Sequence, residues 1–352
     1  MDFYIDRIRK NRNTAGAKAP ADISKICENM GMSCFPMPMF PEKRSKLYQK
    51  IWLTIVCGFY WMKLMHSVHE GDRVIYQHPM YGNRVALKMI PIIRKWKSCK
   101  FIVLIHDLES LRKGIEGVIH NNEKTNMLAD NLLLNQFDYV ICHNEYMKQY
   151  LIEQGFESSK IIGLEIFDYL SETRRVHGRK QKIPSIAIAG NLAKGKSGYI
   201  YELMKKEYDL KINLYGINFE MAHCGKNTIY HGSFNPDELP NCLEGDFGVV
   251  WDGPSAESCI GNTGEYLKYN NPHKTSLYLS SNMPVIIWRE AAMAKFILEN
   301  NVGVVVDSLY DIEDIIKNIS EDEYNELCRN VEKISQKLKK GYYLKRALQK
   351  CS

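Results

Sequence analysis

Phe101-Ile102-Val103-Leu104-Ile105 is an unbroken apolar run, and it passes directly into His106-Asp107-Leu108-Glu109-Ser110-Leu111-Arg112. A strand covered on both faces reads this way, without the polar alternation of a half-exposed strand. The pattern recurs on either side. Arg73–Tyr76 and Tyr139–Cys142 are similar runs, and Phe3-Tyr4-Ile5 is an earlier one. Between them lie helical patterns: Ile23, Ile26, Cys27 and Met30 follow the i, i+3, i+4, i+7 stripe of a helix that stops at Gly31. Doubly buried strands alternating with helices predict a parallel sheet.

The rhythm breaks at Ser171–Lys182, a polar and basic stretch that reads as a linker, and restarts with Ile183–Ala189, Leu210–Tyr215, Phe247–Trp251, Val285–Trp288 and Val302–Val306. The expected fold is therefore α/β, with two Rossmann-like domains facing a cleft. Residues 1–170 form the N-terminal domain, 171–182 the linker and 183–330 the C-terminal domain. Residues 331–352 form a basic C-terminal helix packing back on the N-terminal domain. In such sheets ligands bind at the carboxyl ends of strands, so the loops that follow them are where chemistry is expected.

The bulk properties narrow the function. The 352 residues suit two ordinary domains, and 45% apolar with 25% charged is ordinary for a soluble protein. From Arg329 to Lys350 eight cations face one acid, Glu332, so this tail carries +7 of a net +6 and the rest carries −1. The charge thus gives no reason to expect nucleic-acid binding. The ten cysteines include no CxxC pair and read as reduced thiols in a cytosolic protein, with no metal site. No signal-peptide pattern opens the sequence, and the longest apolar run, Ile51–Met62, is shorter than the roughly 20 residues a spanning helix needs. It reads as a core or subunit-interface helix, with a monotopic membrane contact as the second reading.

Several loops could hold an anionic ligand. Arg7–Lys18 follows the first strand and holds five cations and no acid; Thr14 or Asn13 could cap the next helix, and Gly16 permits close backbone approach. A solvated turn explains it equally. Gly190-Asn191-Leu192-Ala193-Lys194-Gly195-Lys196-Ser197 matches the GxxxxGK[ST] pattern, yet no Walker-B strand ending in paired acids accompanies it, so an NTPase is a minority reading. The densest cluster is Lys268-Tyr269-Asn270-Asn271-Pro272-His273-Lys274-Thr275-Ser276-Leu277. Pro272 suits a first helical turn, which places His273 and Lys274 at the positive end of a helix, where a departing diphosphate would be stabilised. Tyr215-Gly216 and Asp252-Gly253 each sit at a strand end, and each also reads as turn chemistry. Asp107, with His106 behind it, is the candidate base for a sugar hydroxyl; a capping Asp explains it as well.

Taken together, Ala15–Ala19, His106–Arg112, Gly190-Asn191-Leu192 with Lys196-Ser197, Phe247–Gly253 and Asn271–Lys274 with Ser276–Leu279 resemble a bacterial GT-B glycosyltransferase family. That family contains β-1,6-galactofuranosyltransferases and the glucosyltransferases that extend GlcNAc on serine-rich-repeat adhesins. The resemblance implies transfer of one hexose from a UDP-sugar donor to a glycan or glycoprotein acceptor. It also implies a homo-oligomer and donor contacts from Gly16, Asn191, Lys194, Asn271, His273 and Lys274, with Thr14, Tyr215, Asp252 and Lys268 as further candidates. No cofactor is expected beyond the donor, because cations and helix ends would offset the diphosphate charge in place of a metal. The competing reading is a non-catalytic glycan- or nucleotide-sugar-binding subunit. The location expected is the cytoplasm, with possible peripheral contact of the basic tail with an anionic membrane at the inner face of the cell membrane.

Overall fold

The computed structural model describes residues 1–7, 15–38, 40–41, 43–114, 130–173, 183–206, 208–221 and 225–351. The chain divides into two compact units: Met1–Arg12 with Pro20–Leu164 and Leu344–Ser352, and Asn13–Ala19 with Glu165–Tyr343. Most of the polar stretch read as a linker, 174–182, lies outside the described residues, as does Thr14.

The N-terminal unit holds a six-stranded sheet. Its strands are β1 (Asp2–Arg7), β2 (Ser33–Met37), β3 (Arg73–His78), β4 (Lys100–Ile105), β5 (Tyr139–Cys142) and β6 (Ile161–Gly163), in the order β2-β1-β3-β4-β5-β6. Every pairing is parallel. The apolar run that opens the reading is β4, at the centre, with Phe101 through Ile105 fully buried. Helices α1 (Ala15–Asn29), α2 (Lys46–Ser67) and α3 (Asn83–Lys97) supply crossovers. α1 is followed by Gly31 at φ +81°, a left-handed position that suits glycine.

The C-terminal unit repeats the plan with β7 (Ser185–Asn191), β8 (Lys211–Ile217), β9 (Thr228–Tyr230), β10 (Phe247–Val250), β11 (Val285–Trp288) and β12 (Gly303–Val306). The order is β12-β11-β10-β7-β8-β9, again all parallel. Here α4 (Lys194–Leu203) follows β7 and α5 (His273–Ser280) precedes β11. The three strands absent from the sequence reading, β2, β6 and β9, are all edge strands. β6 and β9 have only three residues each, and β2 alternates half-buried and exposed positions, so none shows the apolar run that the fourth edge strand, β12, does carry. β2 also contains Pro36, which an edge tolerates.

Two expectations are corrected. The basic tail is not one helix: α6 (Glu321–Lys339) ends at Gly341, φ +68°, and α7 (Tyr342–Gln349) starts anew. Val331, Ile334 and Leu338 are buried along α6, and beyond the break Tyr342 is exposed while Tyr343 is buried. α6 also begins ten residues earlier than expected, at a capping box between Ser320 and Glu323. The second concerns Ile51–Met62, read as a core or subunit-interface helix: α2 is only partly core, with Cys57, Trp61 and Leu64 fully buried along it.

Candidate functional site

In the C-terminal unit the site is built where β7, β8 and β10 end. Gly190 and Gly216 sit opposite each other in the β7–β8 register, with φ of +135° and +142°. A Cβ on Gly216 would lie 1.7 Å from the carbonyl oxygen of Gly190, so only glycine allows this approach. Across the Gly190 turn runs the stem of Lys274, whose Cε would be 3.5 Å from a Cβ placed there. The Lys274 Nζ donates to the Trp251 carbonyl at 3.0 Å and to Asp252 Oδ1 at 2.8 Å. Both side chains of this ion pair are mostly buried. Burial opposes the charge of Lys274, but the Asp252 carboxylate outweighs it and the pKa lies above the ordinary lysine value. An ammonium has three donors, so among the described residues one N–H of Lys274 remains for another acceptor.

Lys274 and His273 open α5, after Pro272 and with no side chain capping the first turn. His273 does not add a cation. Burial, then the positive charge of Lys18, push its pKa down to about 3, so the ring is neutral at pH 7. It packs against Tyr169, with ring centroids 5.0 Å apart, and against Phe167. Its Nε2 is buried and has no hydrogen-bond partner among the described residues. A buried imidazole nitrogen left unpaired is costly, and marks a place where a ligand group could bond.

The remaining cluster residues hold the segment that carries Phe167 and Tyr169. Asn271 donates from Nδ2 to the Glu165 carbonyl at 3.1 Å, and Ser276 from Oγ to the Phe167 carbonyl at 2.6 Å. Lys18, on α1, donates to the Leu170 carbonyl at 2.7 Å and to Asp237 at 2.6 Å, and lies over the Tyr169 ring. Gly16, in the first turn of α1, has open space where a Cβ would be.

Other predicted residues are engaged with partners other than Lys274. Lys268 pairs with Glu265 at 2.8 Å and Glu290 at 3.1 Å and covers the Trp288 ring. Lys194 pairs with Glu220 at 2.8 Å over Tyr201. Tyr215 is interior: it stacks on His231 at 4.5 Å and its hydroxyl accepts from the Glu244 amide. Asn191 uses its Oδ1 on Ala193 N and Asn218, and its carbonyl accepts from Ser197 Oγ at 2.8 Å. The Ser197 hydroxyl is thereby spent on backbone, where an NTPase would present it to a metal.

In the N-terminal unit, histidines mark the ends of three adjacent strands: His78 is the last residue of β3, His106 follows β4 and His143 follows β5. His106 Nε2 donates to Gln77 Oε1 at 2.8 Å. Asp107 is 40% exposed and lies 3.9 Å from the Arg112 guanidinium, which also pairs with Glu109. His78 is fully buried and donates to Asp130 at 2.9 Å, whose other oxygen accepts from the Ser110 amide at 2.8 Å. His143 donates to the Ile105 carbonyl at 3.1 Å, and burial pushes its pKa down to about 4. His78, Gln77, Asp130 and His143 were not singled out in the sequence. The available signal was a histidine at the end of three successive apolar runs.

Two doubly wound parallel units, the second with facing glycines at its strand ends and a lysine and a neutral histidine at a helix start, have the architecture of the GT-B glycosyltransferase fold. Among solved structures, one described as trehalose-6-phosphate from E. coli bound with UDP-2-fluoro glucose superposes with a TM-score of 0.64 at 9% identity, covering 99% of this chain and 98% of that one, and a trehalose-6-phosphate synthase, OtsA, gives 0.60 at 9%. A lipopolysaccharide outer core galactosyltransferase, WaaB, gives 0.62 at 9%, covering 99% of each. The particular family follows from sequence. Residues 2–166 match the N-terminal domain model of the Glucosyltransferase 3-like family and 186–351 its C-terminal domain model, and the chain belongs to that family. It is 31% identical to the β-1,6-galactofuranosyltransferase WbbI of Escherichia coli strain K12, over 99% of this chain and 97% of that protein. It is 27% identical to Glucosyltransferase 3 of Streptococcus gordonii, over 94% and 92%.

Proposed function

We propose that the chain transfers one hexosyl unit, of the glucose or galactofuranose type, from a UDP-sugar to a hydroxyl of a glycan or glycoprotein acceptor, and needs no metal ion to do so. The observation that carries this is Lys274: a buried ammonium, held at an uncapped helix start beside a glycine turn, with one N–H left to donate. In the reaction the acceptor oxygen bonds to the anomeric carbon, the bond from that carbon to the diphosphate breaks, and UDP leaves with the electron pair. The remaining Lys274 proton and the first-turn amides of α5 supply positive potential where that charge grows. His273, neutral, serves as a hydrogen-bonding group and not as a second cation.

Asp107 is the group proposed to take the acceptor proton. Its carboxylate is exposed enough to meet substrate, while the His78–Asp130 pair is too buried to do so. The proposal extends to a cytoplasmic, self-associating protein; among the described residues no helix is long and apolar enough to cross a membrane.

The test is release of UDP from a panel of UDP-hexoses in the presence of a glycan acceptor, with and without EDTA. Acceptor-dependent release that EDTA leaves intact is the expected result. Activity lost with EDTA and restored by Mn²⁺ or Mg²⁺ would overturn metal independence. Tight donor binding with no UDP release would instead assign a binding subunit.

A further inference from the structure

α2 faces outward with the wrong residues for water. Leu47, Ile51, Ile55 and Met62 recur at spacings of four and seven, which keeps them on one side of a helix, and Tyr48 and Phe59 widen the stripe. All six are exposed; Leu47 is 70% exposed and Ile55 65%. α3 packs beside α2 and leaves Ile92 and Trp96 exposed, Trp96 by 75%. Scattered apolar residues on a surface need no explanation, but a contiguous apolar stripe does.

The charges on these two helices are all of one sign. Neither α2 nor α3 contains an Asp or Glu, and none occurs from Lys43 to His69 or from Arg73 to His106. Lys46, Lys50 and Lys63 flank the α2 stripe, and Arg84, Lys88 and Lys95 lie on α3. Arg94 is spent on Asp138, whereas these six have no carboxylate within ion-pair distance among the described residues. Lys63 lies 4.6 Å from the Phe59 ring centroid, so a long cationic side chain already covers part of the apolar surface.

We infer that α2 and α3 dock the protein on an anionic lipid bilayer, with the apolar stripe entering the headgroup boundary and the lysines and arginines meeting lipid phosphates. An apolar stripe on helices that carry cations and no acids is what such a surface selects. A second copy of the chain is a poorer occupant, because a two-fold pairing would set this cationic face against itself. The basic tail is a poorer lipid ligand, because Val331, Ile334 and Leu338 are buried within its own unit and five acids on α6 offset its charge. The inference is independent of the donor chemistry, since lipid binding is read without donor or acceptor.

The test is flotation of the full chain with vesicles of phosphatidylcholine alone or mixed with phosphatidylglycerol. Binding is expected to the anionic vesicles at low salt, with release at high salt and little binding to the neutral ones. Ile51→Glu/Ile55→Glu should weaken it by about tenfold or more. Lys50→Gln/Lys63→Gln should weaken it by about fivefold per cation. Lys337→Gln/Lys340→Gln, on the tail, should leave it unchanged. Thermal midpoints of the first two variants should match the parent, because the altered side chains are exposed. Absence of flotation at low salt overturns the inference, as does flotation that survives Ile51→Glu/Ile55→Glu. So does a parent oligomer that never floats and that the same variant converts to monomer, which would make the face an interface between copies.

Discussion

Lys274→Met tests whether the lysine serves the reaction or only neutralises Asp252. The two charges are 2.8 Å apart with 16% and 12% of their side chains exposed. At an effective dielectric of about 20 the gross attraction is about 6 kcal/mol, much of which desolvation cancels. Removing the lysine leaves a mostly buried carboxylate without its cation, so a loss of about 2–4 kcal/mol of stability is expected. A lysine at a helix start is ordinarily exposed and dispensable for folding; burial of this pair makes it otherwise. For the reaction, loss of one preorganised charge donor should lower kcat by about 10²–10³-fold. Lys274→Met/Asp252→Asn separates the two effects, because it removes the orphaned charge as well. Urea melts should show most of the stability regained, while UDP release stays as slow as in the single variant. If the double variant also regains activity, Lys274 acts by neutralising Asp252 and the diphosphate role is wrong.

Asp107→Asn should keep UDP binding within about twofold by calorimetry and lower transfer by about 10²-fold or more, since the amide keeps the shape but cannot take a proton; equal loss of UDP binding would move Asp107 out of the base role. His143 is held neutral with a pKa of about 4, below its unfolded value of about 6.5, so its contribution is whole above pH 6.5 and is lost as pH falls toward 4. That is about 3 kcal/mol over the window, read as the difference between parent and His143→Gln in denaturant melts at pH 7 and pH 4.5; a difference that does not change with pH would refute it.

The central strands were legible because they are buried on both faces. Phe101–Ile105, Tyr139–Cys142 and Val285–Trp288 have to be apolar throughout, and a continuous apolar run shows in one dimension. The edge strands β2, β6 and β9 face that demand less and left no such run. Glycine positions were partly legible: Gly190 and Gly216 each follow an apolar run, but their mutual approach across two strands does not show in either run alone.

Residue type and loop position could be read directly, so the sequence by itself set the α/β rhythm, the strand-end loops and the cluster from Lys268 to Leu277. What each side chain does there depended on neighbours far along the chain. Lys274 keeps its charge because Asp252 lies beside it, His273 loses its charge because burial and Lys18 remove it, and Lys268 is occupied by Glu265 and Glu290. Three basic residues within seven positions look alike in sequence. Their protonation and availability are set by desolvation and by charges a few ångströms away, and only the tertiary structure fixes those distances.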